Sequence, residues 1–83
     1  MKHPRTVFRK LGRERADGVA TDEGRKKYIE IDSRLKGRRL MWTFAHERMH
    51  FLFPDMPENE IDEKSEIIID YLWKHGYRKI DNE

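Results

Sequence analysis

The 83-residue sequence contains no cysteine. Disulfide bonds, cysteine-ligated zinc sites and thiol nucleophiles are therefore excluded. Apolar runs long enough to cross a bilayer are also missing, and residues 1–10 lack the apolar core of a secretory signal, so we expect a cytoplasmic protein. Only 36% of the residues are hydrophobic, whereas 41% are charged. We therefore expect one small domain with a thin core over residues 1–83, frayed at 1–5 and 79–83.

The most informative stretch of the chain has the pattern H-E-x-x-H, formed by His46, Glu47 and His50. Histidines four positions apart on a helix share one face with Cβ atoms about 5–6 Å apart, so both imidazoles can ligate one zinc ion at about 2.0–2.1 Å. Glu47 points about 100° further round the helix, where it can be the general base for a water whose pKa the zinc lowers. The pattern predicts a zinc site with His46 and His50 as ligands and Glu47 as the catalytic residue. A bound metal would also stabilise a chain with so small a core.

The identity of the third zinc ligand is less directly encoded. A catalytic zinc normally has three protein ligands and a water. The extended pattern H-E-x-x-H-x-x-G-x-x-H would require glycine at position 53 and histidine at position 56, but the chain has Phe53 and Met56 there. The two other histidines are His3, near the chain start, and His75, at the far end of the last predicted helix. A carboxylate from the last helix is therefore the better candidate.

Three carboxylates of the last helix are candidates for that ligand. The two helices are joined by a short connection, so we expect them to be antiparallel neighbours, with the first two turns of the last helix level with the histidines. Glu58 is the preferred third ligand, with Asp62 second; Glu63 points more toward water, and a site without a third ligand stays open. The alternative role for Glu58 is to complete a capping box with Asp55 at the helix N-terminus.

The hydrophobic pattern predicts an α+β fold, in which a small N-terminal antiparallel β-meander is followed by two packed helices. Strands are expected at 6–11, 19–21 and 27–32, with a hairpin turn at Asp17-Gly18 and another turn at 22–24, and 12–15 as a loop. Helices are expected at about 38–52 and from 55–58 to about 75. Trp42 is interpreted as a core residue, although a position beside the metal is the alternative. The expected core positions of the two helices are Leu40, Met41, Phe44, Ala45, Met49, Leu52, Ile61, Ser65, Ile68, Ile69, Leu72 and Trp73.

Charge is unevenly distributed although the formal net charge is only +2. Basic residues concentrate in 1–15 and 34–39, and acidic residues in 55–66. We prefer to interpret this as a solvated surface that keeps a small domain soluble. The alternative function is a binding module, zinc-stabilised or metal-free, that contacts nucleic acid or a protein partner through its basic N-terminal half. Its affinity for DNA would fall steeply with salt.

Several short segments together resemble small phage and prophage zincin-like proteins: IDSRLKG at 31–37, HExxH at 46–50, FPD at 53–55, Glu58, and LWxxGYR at 72–78. The resemblance covers about residues 27–78. It implies a zinc metallopeptidase of the glutamate-ligand subclass, in which His46, His50 and Glu58 hold Zn2+ and Glu47 is the base. It also implies that an extended peptide substrate lies along a strand near the active helix, for which 28–32 is the candidate. The second subdomain that usually forms the far wall of the cleft is missing, so a protein partner is expected to complete it; a phage-encoded protein would act in the host cytoplasm.

Peptide hydrolysis at such a site would need a proton carrier and a donor for the oxyanion. Glu47 would take the proton of the water and pass it to the leaving amine. Tyr77, His75 and Arg78 are the sequence candidates for the additional donor.

Overall fold

A computed structural model describes residues 2–12 and 16–80 of the chain. Its elements are β1 (Arg5–Arg9), β2 (Gly18–Glu23), β3 (Lys26–Asp32), α1 (Gly37–Leu52) and α2 (Glu58–Lys74). Three strands followed by two packed helices confirm the predicted α+β fold class. The expected loop at 12–15 and the expected frayed ends lie partly outside the described residues, and Arg5 already belongs to β1.

The order and direction of the strands differ from the predicted antiparallel meander. The sheet order is β1-β3-β2, and β1 pairs with β3 in parallel, whereas β2 pairs with β3 antiparallel. β3 is thus the central strand, and its alternating Ile29 and Ile31 are both buried on the face toward α1. Asp17-Gly18 is therefore no hairpin turn between β1 and β2, and the β2–β3 hairpin turns at Gly24, whose φ is +60°.

The helices form two further layers on one side of the sheet. α1 packs against β2 and β3, and α2 packs against α1. The core between α1 and the sheet contains Ile29, Ile31 and Leu40, and Ile61 and Ile69 are the buried apolar residues of α2. No helix in the described part of the chain is long and apolar enough to cross a membrane.

Two of the predicted core positions are wrong. Leu52 and Ile68 are each 43% exposed, since they lie at the edges of the apolar faces. Thr43 is buried in their place at 1% exposure, and its hydroxyl donates to the Arg39 carbonyl, which satisfies it within the helix. Ser65 is fully buried, as predicted.

The end of β3 sets the position at which α1 begins. The Asp32 carboxylate accepts hydrogen bonds from the Leu11 N–H and from the backbone and guanidinium of Arg34. The Arg34 hydrogen bonds hold the pKa of Asp32 far below its usual range. The Asp32 carbonyl in turn accepts from the Leu35 N–H, and Gly37, with φ +60°, begins the helix. This network attaches α1 to the central strand.

Candidate metal centre

The structure brings three of the predicted site residues to one point. His46 Nε2 lies 2.7 Å from one carboxylate oxygen of Glu58, and His50 Nε2 lies 3.1 Å from the other. One ligand atom from each residue falls within 4.8 Å of the others, so His46, His50 and Glu58 form a group that could hold a metal ion. Two imidazoles and a carboxylate are one of the donor sets that catalytic zinc takes in proteins.

The connection between the helices explains why Glu58 reaches the histidines. The Phe53 N–H donates to the Met49 carbonyl and ends α1, and the Met56 N–H donates to the Phe53 carbonyl to form the turn. α2 then begins after Pro57 with no side-chain cap, so the capping box predicted for Asp55 and Glu58 is wrong. Glu58 is left in the first turn of α2, directed toward the two histidines.

Asp62, the second choice for the third ligand, lies one turn further along α2. Its Oδ1 is 2.7 Å from His46 Nε2, so this nitrogen faces two carboxylates. Glu63 is exposed and does not line the cleft described below. The carboxylates on this face of α2 therefore follow the four-residue helical repeat from Glu58.

Glu47 is buried beside the first histidine. Its Oε2 lies 3.0 Å from His46 Nδ1, on the opposite edge of the ring from Glu58 and Asp62. Burial disfavours the charged imidazolium, but the carboxylates of Glu47, Asp62 and Glu58 outweigh this effect and raise the pKa of His46 in the metal-free protein. A carboxylate on the second ring nitrogen of a metal-ligating histidine fixes its tautomer and orientation.

Trp42 lies against the site rather than in the core. It is half-buried, and its indole stacks on the His46 ring at 4.5 Å between centroids with 17° between the planes. The preferred sequence interpretation of Trp42 as a core residue is therefore wrong, and the alternative position beside the candidate metal site is the observed one. The stacking follows from the i,i+4 spacing on α1.

A cleft of about 600 Å³ opens in front of these side chains. One wall is formed by α1 and the start of α2, with His46, Glu47, His50 and Glu58, and the other by β2. The expected substrate strand, 28–32, is wrong because β3 is paired on both sides and offers no free edge. The edge strand beside the active helix is β2, which sequence reasoning did not connect with the site.

Gly18 lets β2 approach α1 closely. A Cβ atom at this position would lie 2.8 Å from Glu47 Cγ and 2.8 Å from Thr43 Cγ2, closer than carbon atoms pack. Asp17 just before it makes a bidentate ion pair with Arg39, which holds the start of β2 against α1. The close glycine contact could not be read from sequence, because Asp17-Gly18 also matches a turn.

The three sequence candidates for an oxyanion donor lie elsewhere. Arg78 stacks on Trp73 and donates to its carbonyl, and Trp73 approaches Gly37 at the start of α1. His46 lies nine residues along α1 from Gly37, or about 13 Å. Tyr77, His75 and Arg78 are absent from the described residues that line the cleft, which include no arginine, lysine or tyrosine. Among the described lining residues, the backbone N–H groups of the edge strand β2 are the candidate donors that remain.

The separations within the group fit a metal ion. Ligand atoms about 2.1 Å from a tetrahedral zinc are about 3.4 Å from one another. The separations of 2.7 and 3.1 Å between the Glu58 oxygens and the two imidazoles are shorter than this by about 0.7 and 0.3 Å, and all the ligand atoms lie within 4.8 Å of one another, so small side-chain shifts would be needed.

Comparison of the chain with protein-family models, with curated protein sequences and with solved structures finds no match. The case for a function therefore depends on the geometry of the site itself.

Proposed function

We propose that the protein is a zinc-dependent hydrolase of peptide bonds. The observation that supports this most directly is the convergence of His46, His50 and Glu58 on one point, beside a buried Glu47 in an open cleft. Structural zinc sites are usually closed by four protein ligands, whereas this group offers three and opens to a cleft wide enough for a substrate. A fourth coordination position is thus left for water.

Zinc bound there would polarise a carbonyl and bring the pKa of a bound water toward neutrality. Glu47 also lines this cleft, and in this proposal it is the residue that accepts and returns the proton of that water. The Nδ1 contact of Glu47 holds the His46 ring so that Nε2 is directed at Glu58 and Asp62. Asp62 adds negative charge beside Nε2, which favours a cation at this point.

β2 supports a peptide as the substrate. It is an edge strand, and Gly18, Val19 and Ala20 line the cleft opposite the histidines. An extended peptide can pair with the unpaired backbone of such an edge, which holds a scissile bond over the helix. A partner protein that completes the cleft stays a prediction. The cytoplasmic location stays a prediction.

The proposal is tested by metal content and by cleavage of a mixed peptide library, with wild type, His46→Ala and Glu47→Gln compared. We expect one equivalent of zinc in wild type, none in His46→Ala, and full zinc with no cleavage in Glu47→Gln. Loss of zinc in Glu47→Gln would show that Glu47 only orients His46. No zinc in wild type after titration would refute the metal centre itself.

The nucleic-acid module is less well supported by the observed charges. Arg34, Arg38 and Arg39 from the basic segment 34–39 all pair with carboxylates, those of Asp32, Glu66 and Asp17. Paired guanidinium groups are poor phosphate ligands because binding would have to break the existing pair. DNA binding that is strong at low salt and falls steeply as salt rises would reinstate this alternative.

A further inference from the structure

A second groove continues from the cleft and has not been assigned a role. This cationic groove, of about 360 Å³, is lined by the basic residues Lys2, Arg5, Lys27 and Arg48, with Phe51 and Leu52 as its apolar part. It shares Asp22 and Phe51 with the metal cleft, so the two are continuous. Phe51 directly follows His50 in α1, which puts the groove next to the candidate metal ligands.

Three of the four basic residues of the groove have no ion-pair partner among the described residues, whereas the fourth, Arg48, donates a hydrogen bond to His3. Within residues 2–12 and 16–80, Lys2, Arg5 and Lys27 make no ion pair, whereas Arg9, Arg34 and Arg38 each pair with a carboxylate. Arg5 begins β1 and Lys27 lies in β3, the strand that pairs with β1. Asp22, opposite Lys27 in the β2–β3 register, is the one acidic residue among the described lining. An anion in the groove would therefore add the charge that the fold does not supply.

The length of β2 relates the groove to the position of a peptide bound along this strand. β2 runs from Gly18, against Glu47, to Asp22 at the groove, which is four residues or about 13 Å. A peptide extended along β2 would place a side chain in the groove about three to four residues from the bond beside Glu47. The exposed Leu52 and the half-buried Phe51 would contact the apolar stem of that residue.

We propose that the cationic groove is a specificity site for a carboxylate of the peptide substrate, carried by an aspartate or glutamate side chain or by the chain terminus. This inference rests on the proposed peptide hydrolase function. A peptide is favoured over a nucleic acid because the groove is short and has an apolar part next to its cations.

The test measures binding without cleavage. Zinc-loaded Glu47→Gln protein is titrated with labelled peptides that differ only by glutamate or glutamine, each with a free and an amidated C-terminus. We expect the peptide with a glutamate about three to four residues from the central bond to bind about 2- to 30-fold more tightly, as two exposed ion pairs imply. Added Arg5→Gln and Lys27→Gln should remove the preference. The matched control, Lys10→Gln with Lys64→Gln, removes the same charge outside both cavities and should keep it.

The outcomes separate the groove from the catalytic proposal. A preference that disappears on amidation identifies the terminal carboxylate as the group bound in the groove. A preference that follows glutamate identifies the side-chain carboxylate instead, and both results support the groove. Equal binding of all peptides, or a preference unchanged by the groove substitutions, would overturn it, as would groove-dependent binding of single-stranded DNA without peptide preference. Cleavage by wild type with equal kcat/KM for glutamate and glutamine peptides, and for free and amidated C-termini, would refute the groove and leave the hydrolase standing. A groove-dependent preference in a protein that cleaves no peptide would refute the hydrolase and leave the groove standing.

Discussion

Gly18 offers the sharpest test of how β2 and α1 form the cleft together. A Cβ atom there would lie 2.8 Å from both Glu47 Cγ and Thr43 Cγ2, and 3.2 Å from the Glu30 carbonyl oxygen. Thr43 and Glu47 are both buried, so neither can swing into solvent to relieve the contact. Gly18→Ala must therefore push β2 away from α1 or displace the Glu47 side chain.

The expected loss of stability in Gly18→Ala follows from the packing around the added methyl group. Inserting one methyl group into a tightly packed contact costs about 1–3 kcal/mol. Replacing glycine also reduces the entropy of the unfolded chain, which offsets about 0.4–1 kcal/mol. Gly12→Ala is the matched control, because among the described residues its Cβ would meet only Arg34 Nη2, at 3.6 Å, an ordinary contact. The difference between the two variants cancels the entropy term and should be about 1–3 kcal/mol.

Thermal and urea unfolding of the two metal-free variants measure this difference directly. For a domain of this size, it corresponds to a Tm lower by about 4–24 °C in Gly18→Ala than in Gly12→Ala. Zinc stoichiometry should be retained, since the ligands lie on α1 and α2, while hydrolysis should fall because Glu47 is displaced. Equal stability of the two variants would refute the close approach of β2 to α1, and with it the assignment of β2 as the cleft wall.

The remaining predictions concern three other side chains. Asp62→Asn removes negative charge 2.7 Å from His46 Nε2 and should therefore weaken zinc affinity about 10- to 100-fold in a chelator competition. Glu63→Gln is the control. Equal losses of zinc affinity in the two variants would contradict a specific role for Asp62. Zinc should change the emission of Trp42 in a Trp73→Phe variant, because the indole stacks on His46; unchanged emission at full occupancy would count against the stacking. Asp32 has a folded-state pKa below its unfolded value of about 3.9, so its stabilising contribution is present above pH 4 and is lost as the pH falls below it. Urea unfolding between pH 2.5 and 7 should therefore be less pH-dependent in Asp32→Asn than in wild type, and identical slopes would refute the network.

The spacing of residues along the sequence was sufficient to predict α1. The four-residue spacing of His46 and His50 puts both on one face of any helix, whatever surrounds it. Pro57 after a short connection predicts the start of a second, antiparallel helix, and Glu58 in its first turn comes level with the histidines for that reason alone. The α+β class follows from the change of hydrophobic period between β3 and α1.

Tertiary structure decided which strand faces the active helix. β1 and β3 pair through residues that are 23 positions apart in sequence, and no local pattern states that this pairing is parallel or that β3 is central. That order makes β2 the edge strand, brings Gly18 against Glu47, and leaves Arg5 and Lys27 beside the cleft. A helical face depends on the neighbours of each residue in sequence, whereas a sheet depends on partners that only the packed chain selects. Both the β2 wall of the cleft and the cationic groove involve the sheet.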